Sequence, residues 1–217
     1  MTKYIFGALV IILVGMGAFY VWKTLPSAKP SQTPVGQVPQ DTWQTYASST
    51  LSVKYPQGYT ADDSYTYTQV NPKKPISGVR FTIPGAMATG TNLSTDSYVS
   101  VEWLPRAKNC TGDIYLAANV KPAEWIDNGV TYSVASSTGA GAGNFYEEWV
   151  YALSGSQPCT AVRYFLHSTN IGNYEPGAAQ EFNHDALVAD FDKIRQSLTL
   201  GSAAPAVEPT TTPTTNP

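Results

Sequence analysis

Cysteine and histidine are scarce in this chain of 217 residues: there are two of each, Cys110, Cys159, His167 and His184. Two cysteines so far apart, with no paired histidine spacing beside them, do not make a zinc site. Catalytic signatures are missing as well. The chain has no Gly-x-Ser-x-Gly elbow, no His-Glu-x-x-His pair and no catalytic-cysteine pattern, so the reading leans away from an enzyme. The small-residue run Thr138 to Gly143 lacks the helix and lysine that follow a phosphate-binding loop, which rejects nucleotide binding there. Basic charge is short too. Between Asp41 and Leu200, ten Lys and Arg face fifteen Asp and Glu, and phosphate-backbone binding needs a basic footprint. Nucleic acid is therefore not an expected partner, and no cofactor or metal is implied.

Charge is absent altogether from Tyr4 to Trp22, YIFGALVIILVGMGAFYVW. As a helix this stretch spans roughly 28 Å, close to the roughly 30 Å hydrocarbon core of a bilayer. Tyr4 and Phe6 at one end and Tyr20 and Trp22 at the other suit the headgroup boundary. A single membrane helix is expected, so that residues 1–23 form an anchor and the membrane is one partner. The alternative is a cleaved export signal. The run is longer than a signal core, and Lys23 to Ala28 offers no small-x-small cleavage pair. No cysteine follows for lipid attachment, the pilin processing motif is absent, and no two glycines of the run stand four apart.

Positive charge does not orient the helix, because Lys3 precedes it while Lys23 and Lys29 follow it. Cysteine usage decides instead. Cys110 and Cys159 both stand beside turn residues, and an even pair in an exported chain is expected to form one disulfide, with two buried free thiols as the alternative. A disulfide puts the globular part outside the cytoplasm, tethered by a single pass.

Composition divides the rest. Residues 24–40 carry Pro26, Pro30, Pro34 and Pro39 among polar residues and read as an extended stalk, reaching at most about 50 Å. Residues 41–200 make one domain of ordinary size. Residues 201–217 return to Ala, Pro and Thr and are expected to be a disordered tail. Asn92-Leu93-Ser94 and Asn109-Cys110-Thr111 match the N-glycosylation triplet.

Within the domain, Thr42 to Ala47, Leu51 to Tyr55, Ser64 to Val70, Val79 to Ile83 and Tyr98 to Leu104 read as strands. Ala86 to Ser97 reads as a polar loop. Asn128-Gly129 between two β-rich runs predicts a two-residue hairpin turn. Thr138 to Gly143 is expected to be a loop, and Asn144 to Leu153 with Cys159 to His167 a long hairpin at the centre of the sheet. One helix follows the polar loop Ser168 to Gln180, with an apolar stripe of Leu187, Val188, Phe191, Ile194 and Leu198 and a cap at Asn183 or Asp185. Asp190, Asp192, Lys193, Arg195 and Gln196 are expected on its solvent face. The fold class is α+β: a mostly antiparallel sheet backed by a C-terminal helix. Twelve tyrosines and four tryptophans in this block fit half-buried sheets, with carbohydrate stacking as a second use.

The opening LSVKYPQGY, with Tyr55-Pro56 and Gly58-Tyr59, resembles the start of PsbP-like domains, and the closing FDKIRQSLTL is similar to their final helix and strand. The resemblance implies an α/β/α sandwich and a membrane-attached bacterial envelope protein. The cysteine pair and Ala-Gly run depart from that pattern, so no ion-binding residues carry over.

The expected function is a non-enzymatic, membrane-tethered extracytoplasmic binding or accessory module for an envelope protein or glycan. Its contact surface is expected on the loops Thr91 to Ser97 and Ser168 to Gly177, with Asn92, Asp96, His167, Asn170, Asn173 and Glu175 as candidate binding residues. The alternatives are an envelope hydrolase using His167 or His184 as general base, and a structural subunit of an envelope complex.

Overall fold

A computed structural model describes residues 42–201. The expected anchor (1–23), the linker (24–40) and the tail beyond Gly201 lie outside the described residues, as does Asp41. Among the described residues no helix is long and apolar enough to cross a membrane.

The described strands form two sheets in which every pairing of named strands is antiparallel. The smaller has the order β1 (Trp43–Ala47), β2 (Leu51–Pro56), β11 (Thr199–Leu200). The larger begins with β3 (Thr60–Asp62), β5 (Ile76–Thr82) and β6 (Tyr98–Leu104). It continues through β10 (Cys159–Thr169), β9 (Asn144–Leu153), β8 (Val130–Gly141) and β7 (Ala123–Asp127). The short β4 (Thr66–Tyr67) pairs with β5. The expected antiparallel α+β class is what the chain adopts, with the β9–β10 hairpin at mid-sheet.

Alternation along β10 sends side chains to two different cores. Val162, Tyr164 and Leu166 join Val79, Phe81, Val99 and Val101 beneath the helix. Cys159 and Ala161 face the other way, with Val150, Ala152, Tyr65, Tyr67, Tyr98 and Tyr115. Because both faces of the sheet are covered, its central strands read as nearly continuous apolar runs. After the single turn α1 (Gly85–Ala88), the long helix α2 spans His184–Gln196. Asn183 caps it by accepting from Ala186 N at 3.0 Å. Its Leu187, Phe191 and Ile194 are buried against the sheet, each worth about 1.5–3 kcal/mol of removed apolar surface.

The structure changes four expectations. Ser64 to Val70 pairs only at Thr66 and Tyr67, although Tyr65 and Tyr67 do share one buried face. Thr138 to Gly143 is not a loop: β8 runs to Gly141, and only Ala142-Gly143 turns, with φ of 50° and 81°. Small residues there reflect a pair of strands closing on a turn that needs positive φ. The helix ends at Gln196, with Leu198 beyond it yet still packed on the core. Arg195 is not on the solvent face but almost wholly buried. The Asn128-Gly129 turn is as expected, with φ of 49° and 79° between the paired Asp127 and Val130.

Candidate functional site

The two expected contact loops do meet. Leu93 bridges Ser168, Ser94 N donates to His167 O at 2.9 Å, and Thr169 N donates to Asn92 O at 2.8 Å. The meeting is structural for several of the candidates. Asn92 is buried, its Nδ2 donating to Thr169 O at 2.8 Å and its Oδ1 accepting from Phe182 N at 3.0 Å. That side chain holds three segments together, and its triplet is closed to glycosylation, whereas Asn109 is exposed. Asn170 caps the 3-10 turn Ile171–Asn173 by accepting from Gly172 N at 2.9 Å. Asn173 donates to Gly143 O at 3.1 Å, and Glu175 is exposed beside them.

Asp96 and His167 are brought together across the sheet edge. The carboxylate lies 2.8 Å from His167 Nδ1, and the imidazole stacks on Tyr146 with ring centres 4.5 Å apart. Among the described residues its Nε2 is buried without a hydrogen-bond partner. His184 stands elsewhere, 3.3 Å from Glu147, and does not join this pair. Among the described residues no group of three His, Cys, Asp or Glu is placed to hold a metal.

His167 is the end of a longer feature. Across strands the aromatic side chains on this face follow one another. Tyr65 meets Tyr98 edge-on at 5.6 Å, Tyr98 stacks on Phe165 at 5.0 Å, and Phe165 lies 6.3 Å from Tyr146. Beside this row opens a groove of about 560 Å³, walled by Tyr65 to Gln69 on one side and by Ser137, Thr138 and Gly139 of β8 on the other. Tyr98, Phe165, Tyr146 and Glu148 form its floor.

Beneath the floor lies an ionic network. Arg163 is fully buried and donates from Nε and Nη2 to Glu102 at 2.8 and 2.9 Å, and from Nη1 to Glu148 at 2.9 Å. Its remaining Nη2 bond goes to Tyr115 O at 2.7 Å, and the Tyr67 ring covers the guanidinium at 3.6 Å. Glu102 also accepts from Ser100 at 2.8 Å, and Glu148 accepts from the Tyr67 hydroxyl at 2.8 Å. Burial opposes the charge on Arg163, but Glu102 overrides it and holds the guanidinium pKa above its ordinary value. Burial raises the phenols as well. Tyr98 is pushed up to about 12, while Tyr65 and Tyr67 rise further, Tyr65 also feeling the charge of Glu102. A buried charge paired this completely fixes the groove's geometry, since each partner is held by two or more bonds.

Glu102, Glu148 and Arg163 are not among the residues that the sequence singles out. The available signal was a charge at an inward position of an otherwise apolar strand, in YVSVEWL and again in CTAVRYFLH.

No protein-family model matches this chain, and neither does any curated protein.

Proposed function

We propose that this protein is a membrane-tethered, extracytoplasmic binding module without catalytic activity, and that its ligand site is the aromatic groove. The observation that carries the reading is the groove itself: an open concavity whose floor combines half-buried rings with one carboxylate fixed from below. Binding sites are typically concave, mostly apolar and supplied with a few fixed polar groups. The disulfide Cys110–Cys159, with Cα atoms 5.0 Å apart, supports an oxidising compartment. The apolar run Tyr4 to Trp22 supports the tether, and the terminal motifs support a PsbP-like architecture. The loops Thr91 to Ser97 and Ser168 to Gly177 adjoin the groove through His167 and Tyr146, and in this reading they brace its end.

The test is a thermal-shift screen of the full chain against glycans, cell-wall fragments and small amines. A ligand at a hundred times its Kd adds about 2.7 kcal/mol, which for a domain this size raises the midpoint by roughly 5–10 °C. A side chain at Gly139 meets nothing within 4 Å, so Gly139→Trp fills the groove mouth without a clash at Cβ. The shift is expected to vanish in that variant. A shift that survives Gly139→Trp moves the ligand elsewhere and overturns the assignment.

The Asp96–His167 pair supports a second reading, an envelope hydrolase with His167 as general base. A substrate in the groove would have to reach Nε2, so His167→Gln would abolish hydrolysis while leaving any groove ligand bound.

A further inference from the structure

Charge inventory says which chemistry suits the groove. One guanidinium, Arg163, is shared by two carboxylates. Glu102 takes the paired geometry, with Oε1 accepting from Arg163, Ser100 and Tyr65 and Oε2 accepting from Arg163. It is completely buried and its bonds are complete. Glu148 is therefore the surplus negative charge. It receives a single arginine N–H and one phenol, it is 16% exposed, and among the described residues it is the only charged side chain lining the groove. An anionic ligand would meet this carboxylate at close range. A neutral one would take it out of water without supplying a counter-charge, at a cost. A cation does neither.

The rest of the lining fits the same ligand. Tyr67, Tyr146 and Phe165 stand around Glu148, and aromatic rings attract an ammonium group within about 6 Å of their centres. The protein already holds its own cations against rings: Arg163 lies 3.6 Å from the Tyr67 ring, Arg80 lies 5.1 and 5.7 Å from Tyr65 and Tyr98, and a third arginine is caged on the helix side. Arg195 is enclosed by Trp125, Tyr132 and Tyr151 at 4.7 to 4.9 Å, with Asp127 and Asp192 as its carboxylates. There the cation comes from the chain itself and fills the cage. In the groove Tyr146, Phe165 and the surplus carboxylate face an open cavity.

We propose that the groove binds an organic cation, a primary or quaternary alkylammonium group held by Glu148 and the rings of Tyr146 and Phe165. This rests on the reading of the groove as the ligand site and names its ligand class.

The experiment is calorimetric titration of the full chain in detergent micelles with choline, with butylamine, and with the uncharged isostere of choline in which carbon replaces the ammonium nitrogen. At least one of the two cations is expected to bind about tenfold more tightly than the isostere, in line with a desolvated cation–π and carboxylate contact. Glu148→Gln keeps one acceptor oxygen, which in the place of Oε2 still meets both Tyr67 and Arg163, but removes the charge, and is expected to abolish that preference. Tyr146→Leu, remote from Arg163, is expected to weaken cation binding several-fold with the melting profile unchanged, and it serves if Glu148→Gln does not fold. Equal binding of cation and isostere, or a preference untouched by both variants, overturns the cation assignment while leaving a groove that binds. Binding of neither cation overturns it as well. In that case a neutral glycan whose thermal shift is lost in Gly139→Trp would keep the binding-module reading, and its absence would remove both.

Discussion

Two arginines are buried on opposite sides of the same sheet, and their surroundings differ in how far water reaches their carboxylates. Arg163 of β10 lies under the groove, with a side-chain exposure of 0% and partners exposed by 0% and 16%, Glu102 and Glu148. Arg195 of α2 is equally buried, but its partners Asp127 and Asp192 are exposed by 19% and 34%. Both are covered by aromatic rings, and both hold two carboxylates. The difference is where the negative charge can go when the arginine is removed. Around Arg195 the carboxylates can turn to water, whereas Glu102 cannot.

The comparison predicts unequal losses. Arg163→Met should cost about 3–5 kcal/mol, because it strands Glu102 as an uncompensated charge in the interior. For a domain of this size that lowers Tm by roughly 6–20 °C, read by thermal denaturation with the disulfide intact. The double variant Arg163→Met with Glu102→Leu should recover much of the loss, since replacing both partners of a buried pair is often near neutral. If Arg163→Met costs no more than Arg195→Met, access to water is not what separates the two sites.

The disulfide belongs to the groove side of this comparison. Cys159 lies in the core cluster beneath the groove, and Tyr115, whose carbonyl accepts from Arg163, donates its hydroxyl to Cys159 O at 2.7 Å. Replacing both cysteines by serine should cost about 4 kcal/mol by chain entropy, within a range of ~2–5 kcal/mol. Hydrogen exchange should then quicken at Gly112–Tyr115, the 3-10 turn whose glycine is pressed against the backbone of β8 and β9, while α2 stays protected. Equal quickening in α2 would mean that the two faces unfold as one unit.

Arg195→Met should be the milder arginine loss, about 2 kcal/mol. It removes charge-assisted bonds of 2.8 and 3.0 Å to Asp127 and Asp192 and contacts with three rings, but it leaves no charge without water. Its signature is local. The β7–β8 hairpin carries Trp125 and Asp127, so indole fluorescence should change with little effect on ligand binding in the groove.

The same contrast explains what the chain disclosed before its structure was in view. Elements governed by neighbours in sequence were legible: the Asn128-Gly129 turn, the β9–β10 hairpin, the Asn183 cap and the stripe of Leu187, Phe191 and Ile194. The cysteine pair was legible from its even count and from the turn residues beside each cysteine. Arg195 was misread because its place on the helix surface points away from the stripe, and only the folded-over β7–β8 hairpin buries it. The groove was read no further than a richness in tyrosine. The network beneath its floor joins Glu102, Arg163 and Glu148 from three strands, and which residues become neighbours depends on register, to which no single strand's pattern gives access. The loop candidates hold a structural part that their sequence did not disclose. Asn92, Asn170 and Asn173 are polar residues in loops, as binding residues often are, but their hydrogen bonds go to the backbone turns that hold those loops.

The smallest expected effect concerns pH and isolates the helix-side cage. The amide of Gln196 donates to Asp127 at 3.0 Å and Arg195 does so at 2.8 Å, and together they hold the Asp127 carboxyl below its ordinary pKa. A depressed carboxyl stabilises the fold above its unfolded value, near 4, and that contribution is lost as pH falls through the lower folded value. Asp127→Asn cannot titrate. Its stability should therefore decline less steeply than the wild type's below pH about 4, although it is lower at neutral pH. Tyr98 gives the matching test beneath the groove, on the alkaline side. Burial raises that phenol to about 12, so its contribution is complete below the ordinary value of 10.0 and disappears as pH climbs through the folded one. Tyr98→Phe should flatten the alkaline decline and leave the acid limb alone, and Asp127→Asn the reverse. Denaturation midpoints across the two limits check both. A variant that alters both limbs equally would show that the two faces share their protons, and the separation drawn from the two arginines would not hold.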